Sequence, residues 1–373
     1  MSNNSIYKIY YGWWKTLDKK IFLLIIFLFS LGLFFSLVST SLIASDKLDT
    51  NNYFFFFKHL AYICLGLIVL IFFSSLSEKN LFKISIYLFF ISLFFLFLVP
   101  ILGTEVKGSK RWLNLFFLPR FQPIEMVKPF AIIFISLILS SEKNWNIYFK
   151  YSLTFLSILP ISFLLMMQPD IGQTLLIFFT WFVLVFISGL SLFVILSVSS
   201  ISLLFLFYMI FFISKFEYIK NRILSFFNPS NGTHNFQSEK AIDAISSGGF
   251  FGKGIGEGTL KNRVPEAHTD YIVSVISEEF GVVMIILMLF LFLFLIYTVF
   301  KKIYIEKNEK IKLILAGSIT LIILQALIHF GVNIRLFPTT GMTLPFLSYG
   351  GSSIVGVSIL SGIILNLTKR KVS

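Results

Sequence analysis

Charge is scarce in this 373-residue chain: 13% of its residues are Asp, Glu, Lys or Arg, while 57% are hydrophobic. A soluble domain carries about 25% charge, so a water-soluble fold is excluded. Cysteine is almost absent, Cys64 standing alone, which excludes an internal disulfide and a cysteine-built zinc or iron site. The turn-punctuated alternation of an outer-membrane barrel is missing as well, since the 48 phenylalanines fall in unbroken runs such as Phe54 to Phe57. What remains is an all-α polytopic membrane protein, because a helix satisfies its own backbone inside a bilayer.

With about 20 apolar residues needed per crossing, the hydropathy predicts ten spans: 21–44, 59–76, 82–102, 123–140, 151–168, 171–188, 190–214, 271–300, 311–332 and 346–367. The chain then reads as one membrane domain over 1–373. Residues 1–20 form an interfacial segment, 21–214 the first seven spans, 215–270 a long loop, 271–367 the last three spans and 368–373 a tail. The segment before the first span mixes Trp13, Trp14 and tyrosines with Lys8, Lys15, Lys19 and Lys20, as an interfacial helix does. No small-residue cleavage site follows it, so the first span is expected to be retained.

The formal net charge of +13 could suggest nucleic acid, but basic residues in a polytopic protein more often set orientation. Their placement decides. An even number of spans puts both termini on one side, expected to be the cytoplasm. Segments on that side carry sixteen of the 31 Lys and Arg; seven of the other fifteen lie in the one long loop, which the orientation rule discounts. No nucleic-acid partner is therefore expected.

Polar sequence concentrates on the expected outer side. Glu105-Val-Lys107-Gly-Ser-Lys-Arg111-Trp112 precedes Arg120-Phe-Gln122-Pro123-Ile-Glu125-Met-Val-Lys128. Pro123 suits the first turn of a helix, which sets Glu125 and Lys128 on one face one turn into a span. They form either a simple ion pair or the wall of a lumen, since ionisable residues inside spans usually face one. Arg111 beside Trp112 reads either as a snorkelling arginine in an aromatic belt or, with the five cations within 107–128, as part of a pyrophosphate site. Gln168-Pro-Asp170-Ile-Gly-Gln173 ends one helix and starts the next, with Asp170 expected as a cap.

In the long loop, Ser246 to Gly258 holds six glycines but lacks the Lys-Ser/Thr pair of a P-loop, so backbone adaptability is its expected role. Pro265-Glu266-Ala-His268-Thr269-Asp270 and then Glu278-Glu279 group carboxylates at a membrane surface. Thr269 or Asp270 could cap the following helix. Alternatively, carboxylates so grouped act as a general base or hold Mg²⁺ against phosphate oxygens. Gln325, His329 and Asn333 make a polar stripe at every fourth residue, either a buried helix contact or a lumen wall. Pro338 to Ser353, containing Ser348 and Tyr349, cannot be a regular helix before Gly351 and is expected to pack back into a cavity.

Together KGSKRW with QPIEMVK, QPDIGQTLL, ISSGGFFGKGIGEG, PEAHTDYIVSVISEEFG and PTTGMTLPFLSYGGSS resemble the SEDS family (shape, elongation, division, sporulation) across essentially the whole chain. WWKTLDKK, EVKGSKRW and GMTLPFLSYGGSS resemble its division branch, FtsW, more than its elongation branch, RodA. The resemblance implies an inverting peptidoglycan glycosyltransferase that polymerises lipid II at the outer face of the membrane during septal wall synthesis. It implies Asp270 as the catalytic general base, with a divalent cation, Mg or Mn, as a helper there, and no organic cofactor. Lys107, Arg111, Trp112, Gln122, Glu125, Lys128, Glu266, His268, Ser348 and Tyr349 would bind substrate or support it. Implied partners are lipid II, the undecaprenyl-pyrophosphate-linked glycan, the class B transpeptidase FtsI, and FtsQ, FtsL, FtsB and FtsN at the septum. Two departures stand out: Thr340 and His329 occupy positions where many division members carry lysine and asparagine. A lipid II flippase and an elongation polymerase are the competing readings.

Overall fold

The computed structural model describes residues 11–40, 53–106, 109–115, 119–143, 145–227 and 236–369. Ten long helices fall one to one on the ten expected spans. They are α1 (Lys19–Thr40), α2 (Phe54–Ser75), α3 (Glu78–Leu102), α4 (Pro123–Leu139), α5 (Ile147–Met167), α6 (Ile171–Ile187), α7 (Leu192–Phe212), α10 (Ile272–Ile305), α11 (Glu309–Asn333) and α12 (Gly351–Leu367). Seven of them are long and apolar enough to cross a membrane unaided, and α4, α6 and α12, of 17 residues each, are shorter. Residues 11–16 are helical, as expected of the interfacial segment, while 41–44 of the first expected span lie outside the described residues.

Caps explain several starts. Ser77 accepts from Asn80 N–H, Asn146 from Tyr148, Asn308 from Lys310, and Asp170 from Gln173, each supplying one of the bonds a first turn lacks. Pro123 occupies the first turn of α4 as its missing N–H allows. The core runs through α1 to α6 and α10 to α12. Asn366 near the end of α12 donates to Phe73 O and Leu76 O (2.8 and 2.7 Å), tying it to the end of α2.

The segment 215–270 is not one loop. It holds α8 (Glu217–Phe227), α9 (Phe236–Gly248) and a 3₁₀ turn at Leu260–Arg263. The small residues Ala241 and Ala244 let α9 bury against Tyr271 and Val275, a pairing that single-segment hydropathy cannot show. The eighth expected span continues to Ile305 and is broken at Gly281, whose φ of 76° lies in the left-handed region. There the glycine-rich loop mends the helix: Val282 and Val283 N–H donate to Gly249 O and Phe250 O (3.0 and 3.2 Å), while Lys253 and Gly254 N–H donate to Glu278 O and Glu279 O (2.9 and 3.0 Å). A side chain on Gly252 or Gly281 would collide with the facing backbone. Between α3 and α4 a two-stranded antiparallel hairpin, β1 (Thr104–Val106) and β2 (Ser109–Trp112), covers the same end of the bundle.

Candidate active site

A cavity of about 700 Å³ lies at the end of the bundle where α3, α5 and α11 finish and α2, α4, α6, α10 and α12 begin. The hairpin contributes Arg111 and Trp112, the start of α4 Gln122 and Glu125, α6 Gln173, and the turn before α10 Glu266, Thr269 and Asp270. The segment before α12 adds Gly341, Thr343 and Tyr349. With Lys58 and Tyr62 of α2, six stretches of sequence thus meet in one space.

Arg111 reaches across from the hairpin. Its guanidinium donates to Gln168 O (3.3 Å) and Pro169 O, and Nε stands 3.6 Å from Asp170 Oδ2. These bonds use the carbonyls left over where α5 ends and fix the arginine without consuming its whole fork of donors. Asp170 is therefore a cap, as expected, and an anchor for Arg111. Gln122 also donates to it at 3.4 Å, and Gln122 N–H donates to Ser352 Oγ at 2.9 Å.

Glu125 and Lys128 are both buried, with 2.8 Å between Oε1 and Nζ. Gln173 Nε2 donates to the same Glu125 oxygen (3.0 Å), and Lys128 donates to Gln325 Oε1 (3.0 Å). Removing one member of a buried pair costs about 3–5 kcal/mol, so this group is a structural keystone. Glu125 faces the cavity, whereas Lys128 stands behind it.

Asp270 sits in a tight turn. Its N–H donates to Glu266 O at 3.1 Å, and its carbonyl accepts from Asn333 Nδ2 at 3.0 Å. Neither Thr269 nor Asp270 caps α10: Tyr271 occupies that position and makes no side-chain cap bond. Asp270 lines the cavity instead. Gly341, with φ of 73°, locates it: a Cβ there would lie 3.7 Å from both Asp270 Oδ2 and Arg111 Nη1. A carboxylate and a guanidinium thus converge on one point of the cavity wall.

The polar stripe of α11 resolves as helix contacts, not as lumen wall. Gln325 donates to Thr343 O (3.0 Å), His329 Nδ1 lies 2.8 Å from Met342 O, and Asn333 Oδ1 accepts from Ser274 N–H (3.2 Å). These bonds hold the non-helical segment 338–350 and the Asp270 turn in register. Ser348 continues that work, donating to Thr269 O (2.7 Å) while accepting from Leu344 N–H (2.8 Å). Tyr349 N–H donates to His268 O (3.0 Å), and the Tyr349 ring packs among Phe55, His59 and His268. Ser348 and His268 accordingly position the wall of the cavity rather than line it.

Lys107 lies outside the described residues. Glu278 and Glu279 do not join Asp270. Leu260 N–H and Lys253 Nζ donate to Glu278 Oε1 (2.8 and 3.4 Å), and Gly256 N–H donates to Glu279, so both clamp the glycine-rich loop. Among the described residues no three Asp, Glu, His or Cys side chains converge as a metal cage. Magnesium commonly takes one or two carboxylates plus substrate phosphates, a set that Asp270 with a pyrophosphate would complete. Sequence reasoning missed Lys58, Tyr62, Gln173 and Thr343 on the wall. Gln173 carried the same signal as Glu125, a polar residue one turn into a span; Lys58 looked like any lysine at a membrane boundary.

Comparison with known proteins identifies the family. The family model for the FtsW, RodA and SpoVE cell cycle proteins matches residues 18–372. The "Probable peptidoglycan glycosyltransferase FtsW" of Caulobacter vibrioides is 31% identical over 364 residues, covering 96% of this chain and 91% of its own. The protein of the same description from Coxiella burnetii is 33% identical over 368 residues, covering 94% and 95%. Among solved structures, a chain of a peptidoglycan synthase complex that coordinates polymerization and crosslinking superposes with a TM-score of 0.76 at 26% identity, covering 94% of this chain and 97% of its own. The rod shape determining protein RodA of Thermus thermophilus superposes with a TM-score of 0.69 at 26% identity, covering 95% and 97%. The chain belongs to the FtsW, RodA and SpoVE family of cell cycle proteins.

Proposed function

We propose that this chain is a peptidoglycan glycosyltransferase that polymerises lipid II in septal wall synthesis, with its cavity on the outer face of the bacterial inner membrane and both termini in the cytoplasm. The observation that carries the reading is the convergence of Asp270 and Arg111 at Gly341, in a cavity with charged and polar side chains on its wall at one end of a membrane bundle. Relatives described as peptidoglycan glycosyltransferases support the same activity.

The chemistry needs a base and cations. Asp270 takes the proton from the 4-hydroxyl of the incoming lipid II, a task for which a carboxylate must come within hydrogen-bond reach. That oxygen attacks C1 of the growing chain with inversion, the C1–oxygen bond breaks, and its electron pair leaves on undecaprenyl pyrophosphate. Arg111, Arg120 and Lys58 line the cavity and offset the charge that builds on the leaving group. A divalent cation, when bound by Asp270 and phosphate oxygens, would add to the same stabilisation. Trp112 and Tyr349 supply faces against which sugar rings pack.

A flippase would carry polar groups through the whole membrane depth. Among the described residues the buried charges are Glu125, Lys128, Asp170, Glu278 and Glu279 toward the cavity end and Asp18 at the opposite end, with none between them, which favours chemistry at one face over passage. The partners that fit are a class B transpeptidase, FtsI, and the FtsQ, FtsL, FtsB and FtsN group. The deciding experiment is conversion of labelled lipid II to glycan by the purified chain, with and without that transpeptidase. Polymer from wild type and none from Asp270→Ala is the expected result; wild-type yield from Asp270→Ala overturns the assignment.

A further inference from the structure

A second cavity of about 410 Å³ adjoins the first, and Arg111 lines both. Its character is different. Ile171, Leu175 and Phe179 form one stripe along α6, and Leu324, Leu327 and Ile328 face them from α11. The α6 stripe covers two turns, so it descends about 12 Å into membrane depth at 1.5 Å per residue. Phe179, Leu327 and Phe337 on the rim are each about half exposed, so the cavity opens sideways between α6 and α11 onto the surface they present to lipid. An apolar channel that ends on a fixed guanidinium matches an amphiphile whose anionic head joins a hydrocarbon chain.

We propose that this apolar cavity holds the first isoprene units of the donor lipid, the growing chain, and not those of the incoming acceptor. The inference rests on the polymerase reading and adds the division of labour within it. A base lies about 3 Å from the hydroxyl it activates, and that hydroxyl about 3 Å from the carbon it attacks. The leaving oxygen therefore stands roughly 7 Å from the base, and the donor pyrophosphate just beyond it. Asp270 Oδ2 and Arg111 Nη1 each lie 3.7 Å from the same point at Gly341, so their separation is at most twice that distance. Arg111 is thus placed for the donor pyrophosphate. The acceptor pyrophosphate is two sugar rings away from its reacting 4-hydroxyl and belongs to a more distant part of the cavity wall. Only the donor tail leaves its phosphates at the neck that Arg111 guards.

The test uses the full chain with its transpeptidase and two one-sided substrates. Lipid II with its 4-hydroxyl capped by galactose can only donate; lipid II with a carbon-linked, uncleavable pyrophosphate can only accept. Leu175→Trp and Ile328→Trp fill the apolar cavity. They are expected to raise the KM of the donor-only lipid at least tenfold while that of the acceptor-only lipid stays within twofold. A rise confined to the acceptor, or no change in either, overturns the proposal. As a second measurement, Leu324 is replaced by a photoreactive benzophenone amino acid in the otherwise unaltered chain. Light should attach the labelled prenyl chain of the donor-only lipid and not that of the acceptor-only lipid. Capture of both equally, of neither, or of the acceptor alone refutes it. Cross-linking needs no turnover, so a wild-type protein that makes no polymer would defeat the polymerase reading separately.

Discussion

Two groups of carboxylates stand within a dozen residues of each other and do different work. Glu278 and Glu279 are fully buried and receive hydrogen bonds from the loop that folds over them, through Leu260 N–H, Gly256 N–H and Lys253. Glu266 and Asp270 stand on the cavity wall, where a ligand can reach them. Composition alone treats the four as one acidic cluster. The separating factor is the helix break at Gly281, which brings the glycine-rich loop against one pair and leaves the other pair at the open end of α10. A carboxylate surrounded by backbone donors is a fastener, and one at the edge of a cavity beside a cation is positioned for proton transfer.

The largest test of this contrast is Asp270→Asn, which keeps the shape of the side chain and removes its basicity. Polymerisation is expected to fall by about 10²–10⁴, with the thermal unfolding midpoint in detergent essentially unchanged. A variant that polymerises normally would place the base elsewhere. A variant that unfolds early would make Asp270 a fastener like Glu278.

Next comes Lys128→Met, which strands Glu125 as an uncompensated charge at a site 3% exposed. A loss of about 3–5 kcal/mol in unfolding free energy is expected. Glu125→Gln combined with Lys128→Met should recover most of it, because no buried charge is then left. Failure of the double variant to recover would mean that the pair is needed for more than mutual neutralisation.

Much of this fold was legible because membrane helices announce themselves by length and hydropathy, and each of the ten expected spans has its helix. Local rules of one turn also held: Pro123 opens α4, Asp170 caps α6, and Glu125 meets Lys128. What escaped depends on distant pairing. Nothing near Glu278 in sequence reveals that Leu260 N–H will bind it, and nothing around Lys58 shows that the start of α2 faces the 341–353 segment. The stripe of Gln325, His329 and Asn333 was visible as a stripe, yet its work is to hold carbonyls of segments 13 to 63 residues away. Motif resemblance supplied Asp270 as the catalytic candidate, while the Arg111 geometry beside it came from the fold.

A smaller effect is expected from Glu278→Ala, which takes the acceptor from Leu260 N–H and the counter-charge from Lys253. The cost should be about 1–3 kcal/mol, seen as faster proteolysis within 249–260 and a lower unfolding midpoint. Activity at a temperature where the variant stays folded should remain far above that of Asp270→Asn. Complete inactivity with the loop still protected would erase the distinction between the two carboxylate groups.

The smallest effect is expected at the opposite end of the molecule, where Asp18 precedes α1 and meets Lys302 at 2.6 Å. Burial alone would raise its carboxyl, but the Lys302 ammonium and the N–H groups of Ile21 and Lys20 outweigh it and hold the pKa below the ordinary 3.8. Because the folded value is the lower one, the ionised form stabilises the fold above about pH 3.8, and that contribution is lost as pH falls through the folded value. Asp18→Asn keeps the side-chain oxygen that accepts from the first turn of α1 and removes only the ion pair. Lys302 is partly exposed, so about 1 kcal/mol or less should be lost at pH 7. The difference from wild type should close as the unfolding experiment is repeated below pH 3.8, and lipid II polymerisation should be unaltered at neutral pH. A large activity loss here would show that a carboxylate far from the cavity can govern the chemistry, which would remove burial by donors as the feature separating fasteners from catalytic groups.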